Sequence, residues 1–388
     1  MITRVEAKNY RCLRSVSTPL RPFQLLVGPN SSGKSAFMSV LSFIRDFVSY
    51  TIQYAVRQQT DHFRDLVYGR EDNRFDLAIE ARIPEDRRAA DGPGSYTHVR
   101  YDLSVRWDMA SNNPVVESEK VRLFGSAQKE TRTLADRSGS QVRYVNEDDS
   151  QPGFEGNVSS FHSVVSYFPR GPDAFPTLKW FADLLVEGVR DVRLKAEDLH
   201  VPPTEEAGRA SRLTGAYLAR SVSELREKSR ESFEAWVKHV RTALPDLDKI
   251  RIDPDQQQRS RQLLVRYQNG IEVPSRVISD GTLCLLALTI LAYMPGSNKV
   301  YLIEEPENAV HPTAVDTIYQ SLSSIYDGQV LVASHSPILL GLAKKEELLC
   351  FSRAAEGTQV VLGEEHPVLQ EWKGEVSLSD LFAAGVLG

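Results

Sequence analysis

The chain has 388 residues, with 46 Lys and Arg against 52 Asp and Glu, a net charge of −6, and 41% hydrophobic and 25% charged residues. That length suits one large or two modest domains, the balance is ordinary for a soluble globular protein, and the acidic total does not advertise a nucleic-acid binder. Cys12, Cys284 and Cys350 are scattered and form no CxxC, and no run reaches the roughly 18 apolar residues of a membrane span, so a disulfide framework, a zinc site and a membrane are excluded and a cytoplasmic location is expected.

Residues 1–20 carry charges throughout, which predicts no signal peptide. Phe23–Val27 (FQLLV) then reads as a short buried strand, and Ala36–Phe47 has apolar residues at helical spacing. Between them lies GPNSSGKS: Gly28, Pro29, Asn30, Ser31, Ser32, Gly33, Lys34 and Ser35. This fits the phosphate-binding pattern G-x-x-x-x-G-K-[ST] in the strand–loop–helix context that the pattern requires. Glycines let the backbone curl until successive N–H groups face phosphate oxygens, and the helix N-terminus adds partial positive charge. Lys34 is expected to reach the β- and γ-phosphates of a nucleoside triphosphate and Ser35 to ligate Mg2+.

Gln53, Gln58 and Gln59 follow the loop helix, ahead of DHFRDLVYG, and each is an ordinary surface residue as readily as a γ-phosphate contact. Phe75–Ile83, His98–Trp107 and Val115–Phe124 alternate apolar and polar residues as half-buried antiparallel strands do, with turns at Asp91–Ser95 and Ser111–Pro114. Val142–Val145 adds a fourth strand, Gly153–Ser160 is loop-like, and Thr177–Val189 is helical. Val201–Glu206 (VPPTEE) breaks the pattern, and Ser221–Leu244 reads as one helix with Leu225, Phe233, Trp236, Val237 and Val240 as its apolar stripe. Residues 208–262 carry 12 Lys and Arg against 8 Asp and Glu, which fits a solvated helix face better than a nucleic-acid contact. The arginines in QQQRSRQ, Arg259 and Arg261, are the other candidate patch. Asn269-Gly270 predicts a hairpin between Gln262–Gln268 and Ile271–Ile278.

The last third holds three further elements with chemistry. RVISDGT precedes an apolar helix, Leu283–Tyr293, and places Ser279 and Gly281 at its N-terminus, where anions are favoured. Val300–Ile303 suits a buried parallel strand and ends on Glu304 and Glu305. A turn there can bring both carboxylates into one site, one acid holding the water shell of Mg2+ and the next orienting or deprotonating the attacking water. Gln329–Pro337 is a second buried strand closing on Ser334 and His335, at the carboxyl end where doubly wound sheets place ligands.

The order of these motifs resembles the ATP-binding-cassette type ATPases of the RecF, SMC and OLD group, stand-alone members included. GPNSSGKS is similar to Walker A, VYLIEE to Walker B, ISDGT to the signature and NAVHP to the D-loop, with His335 at the switch position. ITRVEAKNYRCLRSV resembles the opening strand of that family, and VSLSDLFAAGVLG the end of many stand-alone members. The implied fold is α/β: an ATPase head with a mixed, largely parallel core sheet, an antiparallel β lobe and a helical insert. Residues 1–160 would form the N-terminal part of the head with the lobe, 161–262 a mainly helical insert, and 263–388 the C-terminal part.

The resemblance implies that Lys34 and residues 28–33 bind ATP, Ser35 and Glu304 hold Mg2+, Glu305 is the general base and His335 senses the γ-phosphate. Ser279 and Gly281 would contact a nucleotide held by a second copy, making a homodimer through the nucleotide sites. Two positions depart from the family: Glu304 stands where aspartate is commonest, and Asp280 replaces the first glycine of the transporter signature. The absence of a long heptad run excludes an SMC-like coiled-coil arm. Only 53 residues (388 − 335) follow His335, too few for the Toprim nuclease domain of OLD nucleases. The implied role is control of a separately encoded effector, a nuclease among the candidates, in an anti-phage defence module. The alternative is a RecF-like repair ATPase that binds DNA directly, with nucleic acid as its partner.

Overall fold

The structure, a computed structural model, describes residues 1–88, 96–125, 131–147, 153–167, 174–192, 194, 215–255, 260–296, 298–308, 310–372, 374 and 376–387. The turn at Asp91–Ser95, the VPPTEE break, Arg259 and the side chain of Arg261 lie outside that description.

The chain opens with β1 (Ile2–Tyr10) and β2 (Leu13–Pro19), an antiparallel pair rather than one strand. Asn9 and Arg11 take positive φ (60° and 53°) to make the turn. β3 (Phe23–Val27) leads into the glycine loop, α1 (Lys34–Ser49) and α2 (Ile52–Gln59). Next come β4 (Arg74–Arg82), β5 (His98–Asp108), β6 (Asn113–Phe124), β7 (Thr131–Ser138), β8 (Gln141–Tyr144) and β9 (Phe154–Asn157). With β1 and β2 they form an antiparallel sheet in the order β2-β1-β4-β5-β6-β7-β8-β9. β7 was not anticipated, and β9 lies within the stretch that reads as loop.

α3 (Pro176–Asp183) passes through a π-helical turn, Leu184–Gly188, into β10 (Val189–Val192). α4 (Gly215–Lys228) and α5 (Arg230–Ala243) replace the single helix expected there. Ser229 breaks them: its backbone is extended and its hydroxyl accepts from Ser232 N, capping α5. The expected hairpin is present, as β12 (Ser260–Tyr267) and a short β13 (Glu272–Pro274), with β11 (Leu247–Asp255) completing a three-stranded sheet. The stretch 161–262, expected as mainly helical, therefore also supplies β10, β11 and the start of β12.

The remainder runs α6 (Asp280–Thr289), β14 (Lys299–Glu304), α7 (Pro312–Ser323), β15 (Gly328–Ala333), α8 (Pro337–Leu342), β16 (Leu348–Ala354), β17 (Gly357–Leu362), α9 (Pro367–Gln370) and α10 (Leu378–Ala383). The central sheet has the order β10-β14-β15-β3-β16-β17, parallel except for β17. Its strands bury both faces, as parallel strands do. Leu26, Leu302, Leu331 and Phe351 pack with Phe37, Leu41 and the antiparallel lobe. Leu25, Val27, Ile303, Val332 and Cys350 pack with α6, α7 and α5 on the other face. The protein is thus an α/β fold with a mixed core sheet and an antiparallel lobe.

Two dry polar networks join these layers. Glu119 and Arg137, both wholly buried, pair at 3.2 Å. Glu119 also accepts from Tyr101 Oη (2.7 Å), Ser163 Oγ and Val164 N, and Arg137 donates to the carbonyls of Ser159 (2.9 Å) and His162 (2.6 Å). This pins residues 159–164 to the lobe, and Phe161 O in turn accepts from Ile52 N of α2 at 2.9 Å. In the second network Asp191 of β10 accepts from Ser42 (2.7 Å) and Arg45 (3.0 Å) of α1. On the far face, wholly buried Trp236 of α5 donates to Thr289 of α6 at 2.9 Å.

Candidate active site

The glycine loop sits at the carboxyl end of β3, between β15 and β16. Gly28 (φ 145°), Ser31 (φ 60°) and Gly33 (φ 108°) curl it. A Cβ on Gly28 would overlap the Phe351 carbonyl oxygen, and one on Gly33 would lie 2.6 Å from Thr358 Oγ1. Only glycine suits either place. The β16–β17 hairpin also holds the loop by hydrogen bonds, from Arg353 Nε to Ser31 O and from Thr358 Oγ1 to Ser32 O, each 2.9 Å. Pro29, Asn30, Ser31 and Ser35 are exposed, whereas Ser32 and Lys34 are buried. Lys34 Nζ donates to Gly28 O (2.7 Å) and Pro29 O (2.9 Å). Burial pulls its ammonium down to about 8, against the pull of Glu305 in the other direction.

β14 ends at half-buried Glu304, and Glu305 then turns out of the strand with φ 49°. Left-handed backbone is strained for glutamate and needs its surroundings to hold it. Here Glu305 N donates to Ala333 O (2.8 Å), Asn308 N to Glu305 O (3.0 Å), and Asn308 Nδ2 to Glu305 Oε2 (2.6 Å). Glu305 Oε1 lies 3.9 Å from His335 Nε2. Burial and Lys34 lower the His335 pKa, while Glu305 and Glu307 oppose them, which favours the neutral imidazole at pH 7. The His335 turn is braced by Glu307, whose Oε1 accepts from Ser334 Oγ (2.6 Å) and His335 N (3.1 Å).

Lys34, Glu305 and His335 therefore share one site, with Glu304 at its edge. Ser279 and Gly281 are elsewhere. Exposed Ser279 caps α6, accepting from Thr282 N, and Gly281 is in the first turn. That helix packs on the sheet face opposite α1. Gln53, Gln58 and Gln59 lie on α2. Glu307, Arg353 and Thr358 were not singled out from sequence, and Asn308 only as the first residue of NAVHP, with no role beside Glu305. Glu307 was within reach, inside EEPEN beside the acid pair. Nothing local marks the other two.

The residues fit a nucleotide with a divalent cation. Ser32 Oγ is buried without a hydrogen-bond partner, in a loop too tight for a Cβ at Gly28. The hydroxyl of Ser35 and the carboxylate of Glu304 are hard oxygen donors of the kind Mg2+ takes.

The family described as "AAA domain, putative AbiEii toxin, Type IV TA system" matches residues 23–341. This chain belongs to that family. Its fold is similar to an Smc head bound to the C-terminal winged-helix domain of ScpA, with TM-score 0.57, 13% identity, and coverage of 93% of this chain and 97% of that one. It is similar also to an Smc head with an extended coiled coil bound to the C-terminal domain of Pyrococcus furiosus ScpA, with TM-score 0.55, 14% identity, and coverage of 95% and 98%. A stretch of 44 residues is 36% identical to the OLD nuclease of Thermus scotoductus, spanning 11% of this chain and 8% of that protein. The family match, the Smc-head fold and the OLD stretch agree with the resemblance to the ABC-type ATPases of the RecF, SMC and OLD group. Among the described residues no helix is long and apolar enough to cross a membrane.

Proposed function

We propose that this ATPase is a switch in which two copies close around two ATP molecules and thereby control a separately encoded effector, in an anti-phage defence module. The observation that carries the reading is the placement of Ser279 and Gly281. Ser279 caps an exposed helix end and Gly281 lies in its first turn, in a helix that packs on the sheet face opposite α1. A second copy, turned to present that helix end, completes the γ-phosphate site.

Within the site, the loop amides and Lys34 bind the β- and γ-phosphates. Ser35 and Glu304 hold Mg2+, which when bound neutralises phosphate charge. Glu305 takes the proton of the attacking water, its carboxylate aimed by Asn308. Neutral His335 donates from its ring to the γ-phosphate. Closure moves α6, and α6 carries α5 with it through the Trp236–Thr289 bond, so nucleotide state reaches the surface of α4 and α5. The Smc heads solved with ScpA domains support a partner on such a head, and the toxin–antitoxin system in the family description supports a paired module.

Mass in solution tests this, for the native chain and Glu305→Gln, with and without MgATP. Doubling of mass with ATP, more durable in Glu305→Gln, is the expected result. A mass indifferent to nucleotide would overturn the switch dimer. Salt-dependent DNA binding that needs ATP and no second protein would favour the repair alternative instead.

A further inference from the structure

We infer that Glu307 is a positioning residue for hydrolysis: its carboxylate fixes the turn that carries His335 and so sets where the imidazole stands relative to Glu305. The inference rests on the roles proposed above for Glu305 and His335.

One carboxylate oxygen organises a whole strand-to-helix turn. Glu307 Oε1 accepts from the hydroxyl of wholly buried Ser334 at 2.6 Å and from the amide of His335 at 3.1 Å. Ser334 Oγ in turn accepts from Ser336 N at 2.9 Å, and Ser336 caps α8. Glu307 belongs, on its other side, to the turn that begins at Glu305 and closes at Asn308. The ends of adjacent parallel strands β14 and β15 are thus cross-braced, by Glu305 N to Ala333 O and by Glu307 to residues 334 and 335. The 3.9 Å between Glu305 and His335 is the distance this bracing governs.

The second oxygen of Glu307 does not share in this bracing. Oε2 is buried and has no hydrogen-bond partner. A native structure seldom leaves a buried carboxylate oxygen unpaired, and such a group calls for a reason. What fixes the imidazole is the pair of bonds that Oε1 accepts, and Oε2 takes no part in them.

Steady-state ATP hydrolysis by the full chain tests this, with Glu307→Ala, Glu307→Gln, His335→Ala and the double variant Glu307→Ala/His335→Ala. Glu307→Ala should lower kcat by roughly 10- to 100-fold, the cost of misplacing a group by about 1 Å, with KM for MgATP nearly unchanged. Glu307→Gln should restore most of the loss, since its amide oxygen accepts the same two bonds. The double variant should be no slower than His335→Ala, because the two residues act as one unit. Multiplying effects, or a Gln variant as slow as Ala, would overturn the inference while leaving the role of His335 intact. A His335→Ala enzyme at native rate would instead sink the reading beneath it, and the inference with it. Should Glu307→Ala fail to fold, Ser334→Ala decides, since it removes one of the two bonds. A native kcat there counts against the bracing, and a lowered kcat at unchanged KM supports it.

Discussion

Glu305, the proposed general base, is the strained residue of the site. Its left-handed backbone lifts the carboxylate away from the path of β14, and three hydrogen bonds hold it there. Glu305→Gln keeps size and removes the proposed base, so ATP turnover should fall at least about 100-fold with nucleotide affinity retained. Phosphate release and equilibrium binding on the same sample check both halves. Asn308→Ala removes the 2.6 Å bond that orients the carboxylate, and should lower kcat by about tenfold with little change in KM. The positions of the glycine loop and the acid pair were legible in sequence because each is local, a strand followed at once by its turn. The partners of Ser31 and Ser32 were not: Arg353 and Thr358 lie more than 300 positions away, and only the sheet order β15-β3-β16 brings them near.

Elements were legible where one period ran long enough to read. β4, β5 and β6 alternate cleanly, and the apolar runs of β14 and β15 stand out. β9, with four residues (FEGN), is too short and polar to signal, and β10 (VRDV) follows a helical run without interruption. The break at Ser229 escaped because neither Gly nor Pro marks it, only a hydroxyl three residues before the amide it caps. Two predictions belong at this scale. Ser279→Arg places a bulky cation at the α6 N-terminus, and turnover should be lost by preventing closure between copies; native turnover would argue against a site shared in trans. Glu119→Ala strands the Arg137 charge inside the lobe and should cost about 3–5 kcal/mol of stability in denaturant unfolding. A change under ~1 kcal/mol there would mean that the pair is incidental.

At the scale of the molecule, the layered plan was readable but its topology was not. The six-stranded sheet draws its strands from residues 23–27, 189–192, 299–304, 328–333 and 348–362. β3 lies between β15 and β16, and Gln329 bonds both backbone groups of Ile2 at 3.0 and 2.8 Å. This has a consequence for synthesis. A ribosome delivers β3 and the glycine loop roughly 300 residues ahead of β15 and β16, the two neighbours of that strand. Contacts of such sequence separation form late and slowly. The nascent chain therefore carries a nucleotide motif that has no walls, and a product stopped short of residue 348 would keep the motif and lack the site.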